Sequence, residues 1–339
     1  MSAASRLQAA WLKRGLLAWL LLPVSWLYGT VVALRALCYR LGIKRSVKLP
    51  VPVLVVGNLV AGGAGKTPTT IALVHLLRAR GFTPGIVSRG YGRQSTGMVL
   101  ISRSTPANQA GDEPLLMHLR TGAPVVAGAD RVAAAQTLLR AEPAIDILLS
   151  DDGLQHRRMA RDAQVIVFDE RGVGNGWLLP AGPLREPAMG QVPPRSVVLY
   201  NASAPTTGLH GHLVVRRLAG LTALSDWWSG QPARPDAFGQ LRGRSLLAAA
   251  GLARPQRFFD MLRAHGLTVS ELALPDHHDF TALPWPADTT DVIVTEKDAV
   301  KLKPEAMGST RVWVATLDFD LSPAFASELM QWVPHIDTP

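Results

Sequence analysis

The chain of 339 residues contains a single cysteine, Cys38. A disulfide within one chain is thereby excluded, as is a zinc site built on several thiolates. Charged residues make up 18% and aromatic residues 6%, against 47% hydrophobic residues. Disordered chains need the opposite balance, so a large packed core is expected. No fixed repeat runs through the sequence, which argues against solenoids and propellers. Acidic residues are missing altogether from residues 1–48, where eight basic residues stand, Arg6 and Lys48 at the extremes. The rest of the chain holds 27 basic and 26 acidic residues, so the net charge of +9 sits almost wholly at this end. A nearly neutral body gives no electrostatic footprint for nucleic acid, and no nucleic-acid partner is expected. A basic, apolar end suits a membrane surface.

Gly15 to Leu34 is an uncharged run of 20 residues. As a helix it would extend about 30 Å, the thickness of a bilayer core. Trp11, Trp19, Trp26 and Tyr28 suit the headgroup boundary. Pro23 interrupts the run and predicts a kink in a single helix. A membrane-associated helix is expected, either spanning or lying in the interface; a buried core helix is the bland alternative. A cleaved signal peptide fits less well, because the basic stretch continues to Lys48 and a nucleotide-type motif follows.

Val51–Val56 reads as a buried strand. The loop GNLVAGGAGKTP follows, and then a helical pattern from Thr69 to Arg80. Strand, glycine-rich loop and helix are the context of a phosphate-binding P-loop. Gly62, Gly63, Ala64 and Gly65 would wrap backbone N–H groups around phosphate oxygens, Lys66 would reach the β- and γ-phosphates, and Thr67 would hold Mg²⁺. Val60 stands where the general pattern has glycine. Further apolar runs at 85–88, 123–127, 145–150, 165–169 and 197–200 alternate with helical stretches, which predicts a mostly parallel sheet covered by helices on both faces.

Chemistry-bearing residues should gather where such strands end. Asp151 and Asp152 close one strand, as a Mg²⁺-organising carboxylate pair or as solvated turn residues. Arg89, in SRGYGR, ends another. Asp112, in GDEP, opens a helix; it can cap that helix or accept a hydroxyl proton, and spacing favours the cap. LPAGPLREP reads as a long loop in which Arg185 and Glu186 form a salt bridge or meet phosphate and metal.

The sequence divides into a basic apolar segment (1–48), a nucleotide-binding domain (49–222) and a smaller C-terminal α/β domain (223–339). In the last, PDHHDF places His277 and His278 in a loop after a strand, as an acid–base element or a solvated turn. TEKDAVK resembles the Asn/Thr-Lys-x-Asp element of GTPases but in altered order, with Thr295 as a helix cap the plainer reading. Trp227 and Trp228 read as core residues before acyl-chain contacts.

Taken together, VGNLVAGGAGKTP, SRGYGR, GDEP, GADR, SDDGLQH, LPAGPLREP, PDHHDF and TEKDAVK, in this order behind a basic apolar N-terminus, resemble the tetraacyldisaccharide 4′-kinase family of lipid A synthesis. The resemblance runs over nearly the whole chain. It implies transfer of phosphate from ATP, with Mg²⁺, to the 4′-hydroxyl of tetraacyldisaccharide 1-phosphate, giving lipid IV-A. It also implies Asp112 as general base with His277 as its partner, and Asp151, Asp152 and Glu186 around metal and phosphates. Arg131, of GADR, would stabilise charge or bind the headgroup. A monomer at the cytoplasmic face of the bacterial inner membrane follows from the same likeness. Because Asp112 and His277 fall in different sequence domains, the two would have to close around ATP to assemble the pair. A membrane-attached P-loop GTPase or ATPase switch is the alternative.

Overall fold

The computed structural model describes Leu7 and residues 10–334; Arg6 lies outside the described residues. The strands are β1 (Val53–Gly57), β2 (Pro84–Ser88), β3 (Val99–Leu100), β4 (Val125–Ala127), β5 (Ile147–Asp151), β6 (Ala163–Asp169), β7 (Ser196–Asn201), β8 (His212–Leu213), β9 (Val215–Ala223), β10 (Leu246–Ala250), β11 (Val269–Ala273), β12 (Asp291–Thr295) and β13 (Arg311–Asp320). The helices are α1 (Leu16–Leu20), α2 (Leu22–Arg40), α3 (Lys66–Arg78), α4 (Ala107–Ala110), α5 (Asp112–Thr121), α6 (Arg131–Ala141), α7 (Leu224–Trp228), α8 (Ala237–Leu241), α9 (Gln256–Ala264), α10 (Glu296–Ala299) and α11 (Pro323–Met330). Contacts divide the chain into two compact units. One comprises Met1–Arg89, Asp130–Val215 and Asp320–Pro339, the other Gly90–Ala129 and Arg216–Phe319. This differs from the contiguous partition at residue 222, because the Gly90–Ala129 excursion packs with the C-terminal segment.

In the first unit, six parallel strands run in the order β2-β5-β1-β6-β7-β8. β1, β2, β5 and β7 are buried along their whole length, so their sequences carry unbroken apolar runs instead of alternation. Each fully buried Val or Leu side chain contributes about 1.5–3 kcal/mol. Helix α3 packs on β1, β2 and β5, α6 on β2, and α11 on β7. The register pairs Val56 with Asp151. That pairing sets the loop after β1 beside the carboxylates that close β5.

The uncharged N-terminal run forms two helices instead of one kinked helix. Pro23 sits in the first turn of α2, where its missing N–H has no partner to lose. Helix α2 is long and apolar enough to cross a membrane and is 6% buried over that window, so it is not a core helix. Leu16, Leu20, Trp26, Leu27 and Val31 are exposed. The opposite side is tied down. The Trp11 indole donates to the Pro180 carbonyl (2.9 Å), Ser25 to the Leu178 carbonyl (2.7 Å) and Tyr28 to the Arg185 carbonyl (2.9 Å).

The second unit holds a sheet in the order β11-β10-β12-β13-β9, with β11, β10, β12 and β13 parallel. Phe258, Phe259 and Leu262 of α9 pack in its core with Leu246, Ala248 and Ile293. Arg120 of α5 pairs with Glu296 and Asp318, each at 2.6 Å, and Glu296 also accepts from the Trp227 indole. Glu296 is nearly fully buried. Breaking such a pair by removing one partner costs about 3–5 kcal/mol, so the network fixes α5 firmly against α10. It also makes Trp227 a core residue, as its sequence context suggests.

Candidate active site

The loop after β1 is held by its own neighbours. Asn58, fully buried, donates to the Val60 and Gly62 carbonyls (2.7 and 3.2 Å) and accepts from the Lys66 ammonium (3.2 Å). Arg171, paired with Asp169, donates to the Ala61 and Gly63 carbonyls, and Asn201 donates to the Ala64 carbonyl. Val60 is fully buried and bridges to Leu184 of the LPAGPLREP loop. A glycine there would lose that packing, which accounts for the departure from the general pattern. Gly65 has φ 94°, a left-handed conformation that L side chains adopt at a cost of about 1–2 kcal/mol. It precedes α3, whose first turn has no side-chain cap. A helix N-terminus with uncapped N–H groups attracts phosphate.

Asp151 is buried at the end of β5, where it accepts from Ser88 (3.1 Å) and Thr70 (3.4 Å). Asp152 turns out of the strand with φ 49° and meets Arg185 at 2.9 Å and Lys66 at 3.6 Å. Burial pushes its carboxyl up, but Lys66, Arg185 and Arg131 outweigh burial and hold it below the usual range. It is therefore ionised, and with Asp151 and Thr67 it offers hard oxygen donors of the kind Mg²⁺ takes. Arg131 is buried and donates to the Asp151 carbonyl (3.3 Å), while Asp130 caps α6. Arg89 is exposed after β2. The Glu186 carboxylate lies on Arg157 at 2.7 Å. Arg185 and Glu186 thus do not pair with each other.

His156 closes the SDDGLQH turn with its Nε2 buried and unpartnered among the described residues. Burial, and then the charge of Arg131, lower its pKa from 6.5 to about 4. In the unfolded chain it takes up a proton below about pH 6.5. Between those limits the unfolded state binds more protons, so stability falls as pH falls through the window. The urea midpoint should therefore drop between about pH 6.5 and 4. His156→Asn should flatten that slope; an unchanged slope would assign the loss to other groups.

The second unit assembles a pair of its own. Asp112 is the first residue of α5 and caps nothing; Gly111 holds the cap position with φ 87°, where a Cβ would stand 3.0 Å from the Gly90 Cα. The Asp112 Oδ2 lies 3.1 Å from His277 Nδ1 and 3.4 Å from the Lys301 ammonium. The Lys297 ammonium stands 3.2 Å from His277 Nε2. A lysine ammonium only donates, so Nε2 accepts and Nδ1 carries the proton given to Asp112. Burial pushes Asp112 up, yet the His277 hydrogen bond and Lys301 overcome it and hold the carboxyl below its ordinary value. His277 has φ 61°, a conformation that surrounding packing has to impose. His278 instead accepts from the Phe280 amide, so the first histidine of the HH pair is the one that faces the carboxylate. Both partners belong to one unit, and the pair forms without closure between units, contrary to the expectation drawn from sequence order.

The family model described as tetraacyldisaccharide-1-P 4′-kinase matches residues 17–334. The chain belongs to the tetraacyldisaccharide 4′-kinase family. The tetraacyldisaccharide 4′-kinase of Methylibium petroleiphilum is 58% identical over 326 residues, covering 94% of this chain and 90% of that protein. That of Leptothrix cholodnii is 54% identical, covering 98% and 96%. A crystal structure of LpxK from Aquifex aeolicus in complex with ATP superposes with a TM-score of 0.77 at 28% identity, covering 94% of this chain and all of that one.

The chain is thus a kinase with the P-loop fold that its motifs imply, and family membership sets aside the GTPase switch. TEKDAVK agrees with that outcome. Thr295 caps α10 through the Asp298 amide, and Lys297 and Lys301 face the Asp112–His277 pair. Arg171 lies in none of the quoted motifs, Asn58 stands in VGNLVAGGAGKTP, and Lys297 and Lys301 stand in TEKDAVK, but the motifs gave none of them a role. For the two lysines, their spacing of four on a helical start was the available signal. Lys301→Met should raise the Asp112 pKa and move the acid limb of the kcat/KM profile to higher pH. An unmoved limb, with circular dichroism unchanged, would separate Lys301 from the tuning of Asp112.

Proposed function

We propose that this kinase phosphorylates the 4′-hydroxyl of tetraacyldisaccharide 1-phosphate from ATP, forming lipid IV-A at the cytoplasmic face of the inner membrane as a monomer. The observation that carries the reading is the ionised Asp112 held between His277 and Lys301, a base suited to a hydroxyl proton. Asp112 takes that proton as the 4′-oxygen bonds to the γ-phosphorus. The bond from that phosphorus to the bridging oxygen breaks, and ADP leaves with the electron pair. His277 orients the carboxylate and stabilises the proton's new position.

Gly62, Gly63, Ala64, Gly65 and Lys66 bind the phosphates through backbone N–H groups and one ammonium. Thr67, Asp151 and Asp152 would hold Mg²⁺, which would supply neutralisation of phosphate charge. Glu186 would join them only by leaving Arg157. Arg89, Arg131 and Arg185 supply positive charge to phosphate or headgroup.

An acylated acceptor stays in the bilayer, and the exposed apolar face of α2, with the basic residues around it, supports a position at that surface. Leu20→Ser with Leu27→Ser should weaken partition into anionic vesicles at least about tenfold, since each buried leucine contributes about 1.5–3 kcal/mol. Unaltered sedimentation with vesicles would remove α1 and α2 as the anchor.

The catalytic assignment is tested with detergent-solubilised protein, γ-labelled ATP, Mg²⁺ and tetraacyldisaccharide 1-phosphate. Label is expected in the lipid. Label released only as inorganic phosphate would overturn the reading.

A further inference from the structure

A cluster of metal-binding side chains lies apart from the phosphate loop and the Asp112 pair. His212 opens the edge strand β8, His210 stands two residues before it, and Glu328 belongs to α11; all three fall in the first unit. His212 Nε2 is 2.7 Å from Glu328 Oε2, and His210 Nε2 is 4.0 Å from the same oxygen. One donor atom from each residue falls within 4.8 Å of the other two. The His212 ring is steadied edge-on against Phe325 of α11, with centroids 5.7 Å apart.

We propose that His210, His212 and Glu328 form a binding site for a borderline transition-metal ion, Zn²⁺ in the first instance. Two imidazole nitrogens and one carboxylate oxygen are a donor set that Zn²⁺ takes with water in the fourth position. Mg²⁺ and Ca²⁺ prefer all-oxygen sets, so the ion serving phosphoryl transfer is a poor competitor here. Tetrahedral coordination at about 2.0–2.1 Å puts ligand atoms roughly 3.3 Å apart. The observed 2.7 and 4.0 Å bracket that value, so small side-chain rotations suffice. His210 is largely exposed and free to swing inward, while His212 is already fixed. The ion takes the place of the direct contact between His212 and Glu328. It joins the exposed edge of the parallel sheet to α11, and so acts as a clip on the C-terminal helix.

The test uses untagged, metal-free protein without nucleotide. Calorimetry with Zn²⁺ should show one site of micromolar affinity, and Co²⁺ should give the visible absorption of a four-coordinate ion. His210→Ala, at an exposed position that leaves folding intact, should weaken binding at least about tenfold. His212→Ala should abolish it. Zn²⁺ should raise the melting temperature of the parent chain and not that of His210→Ala. A titration without a micromolar site, or one whose affinity and stoichiometry survive both substitutions, would overturn the proposal. Zn²⁺ bound at the phosphate site instead would appear as binding lost in Asp152→Ala and retained in His212→Ala.

Discussion

Asp112→Ala protein is expected to turn over about 10²–10⁴-fold more slowly, with ATP affinity near that of the parent chain. The magnitude is that of a lost general base. Retained affinity follows because Asp112 belongs to the second unit, whereas the loop of Gly62–Thr67 belongs to the first and is braced by Asn58, Arg171 and Asn201. Asp112→Asn sharpens the test. It keeps the volume and an acceptor for His277 but has no charge for Lys301 and no basicity. Steady-state kinetics on the lipid acceptor, with nucleotide binding measured separately, checks both variants. A rate within a factor of a few of the parent's would show that the acceptor proton goes elsewhere. His277→Ala should cost less than Asp112→Ala, because the histidine acts through the carboxylate, and it should displace the acid limb of the pH profile.

Lys66→Ala is expected to lower kcat/KM for ATP by about 10²–10³-fold, the cost of removing one preorganised group aimed at developing charge. Lys66 is nearly buried and is held by Asn58 on one side and Asp152 on the other, so its position is set before nucleotide arrives. Its removal also leaves Asp152 paired with Arg185. The expected signature is therefore double: weaker ATP binding and a reduced rate at saturation. Lys66→Arg should not restore the rate, since a planar guanidinium cannot fill the pocket of a compact ammonium. Wild-type turnover in Lys66→Ala would show that the loop binds phosphate through its backbone alone.

Some of this was legible from residues alone. The strands of the first sheet announced themselves as apolar runs because both faces of a parallel strand are buried. The phosphate loop was legible because its glycines, lysine and threonine are consecutive, and the carboxylates because they close a strand. Boundaries were less secure. The strand read over Val51–Val56 runs from Val53 to Gly57, and the helix read over Thr69–Arg80 runs from Lys66 to Arg78.

Sequence by itself determined the kinase family, the phosphate loop, the apolar basic N-terminus and the residue types of the candidate site, because each depends on local order along the chain. Tertiary structure alone decided which of these residues meet. It took Gly90–Ala129 away from the domain that precedes it in sequence and packed it with Arg216–Phe319, so that Asp112 and His277, 165 positions apart, form a pair inside one unit. It chose His277 over His278 through a left-handed backbone at one residue and an amide hydrogen bond at the next. It aimed Lys297 and Lys301 at that pair and put Glu186 on Arg157. The physical reason is the same in each case. A side chain's partner is fixed by strand register, helix phase and the packing of segments distant in sequence, and none of these is written in the spacing of a motif.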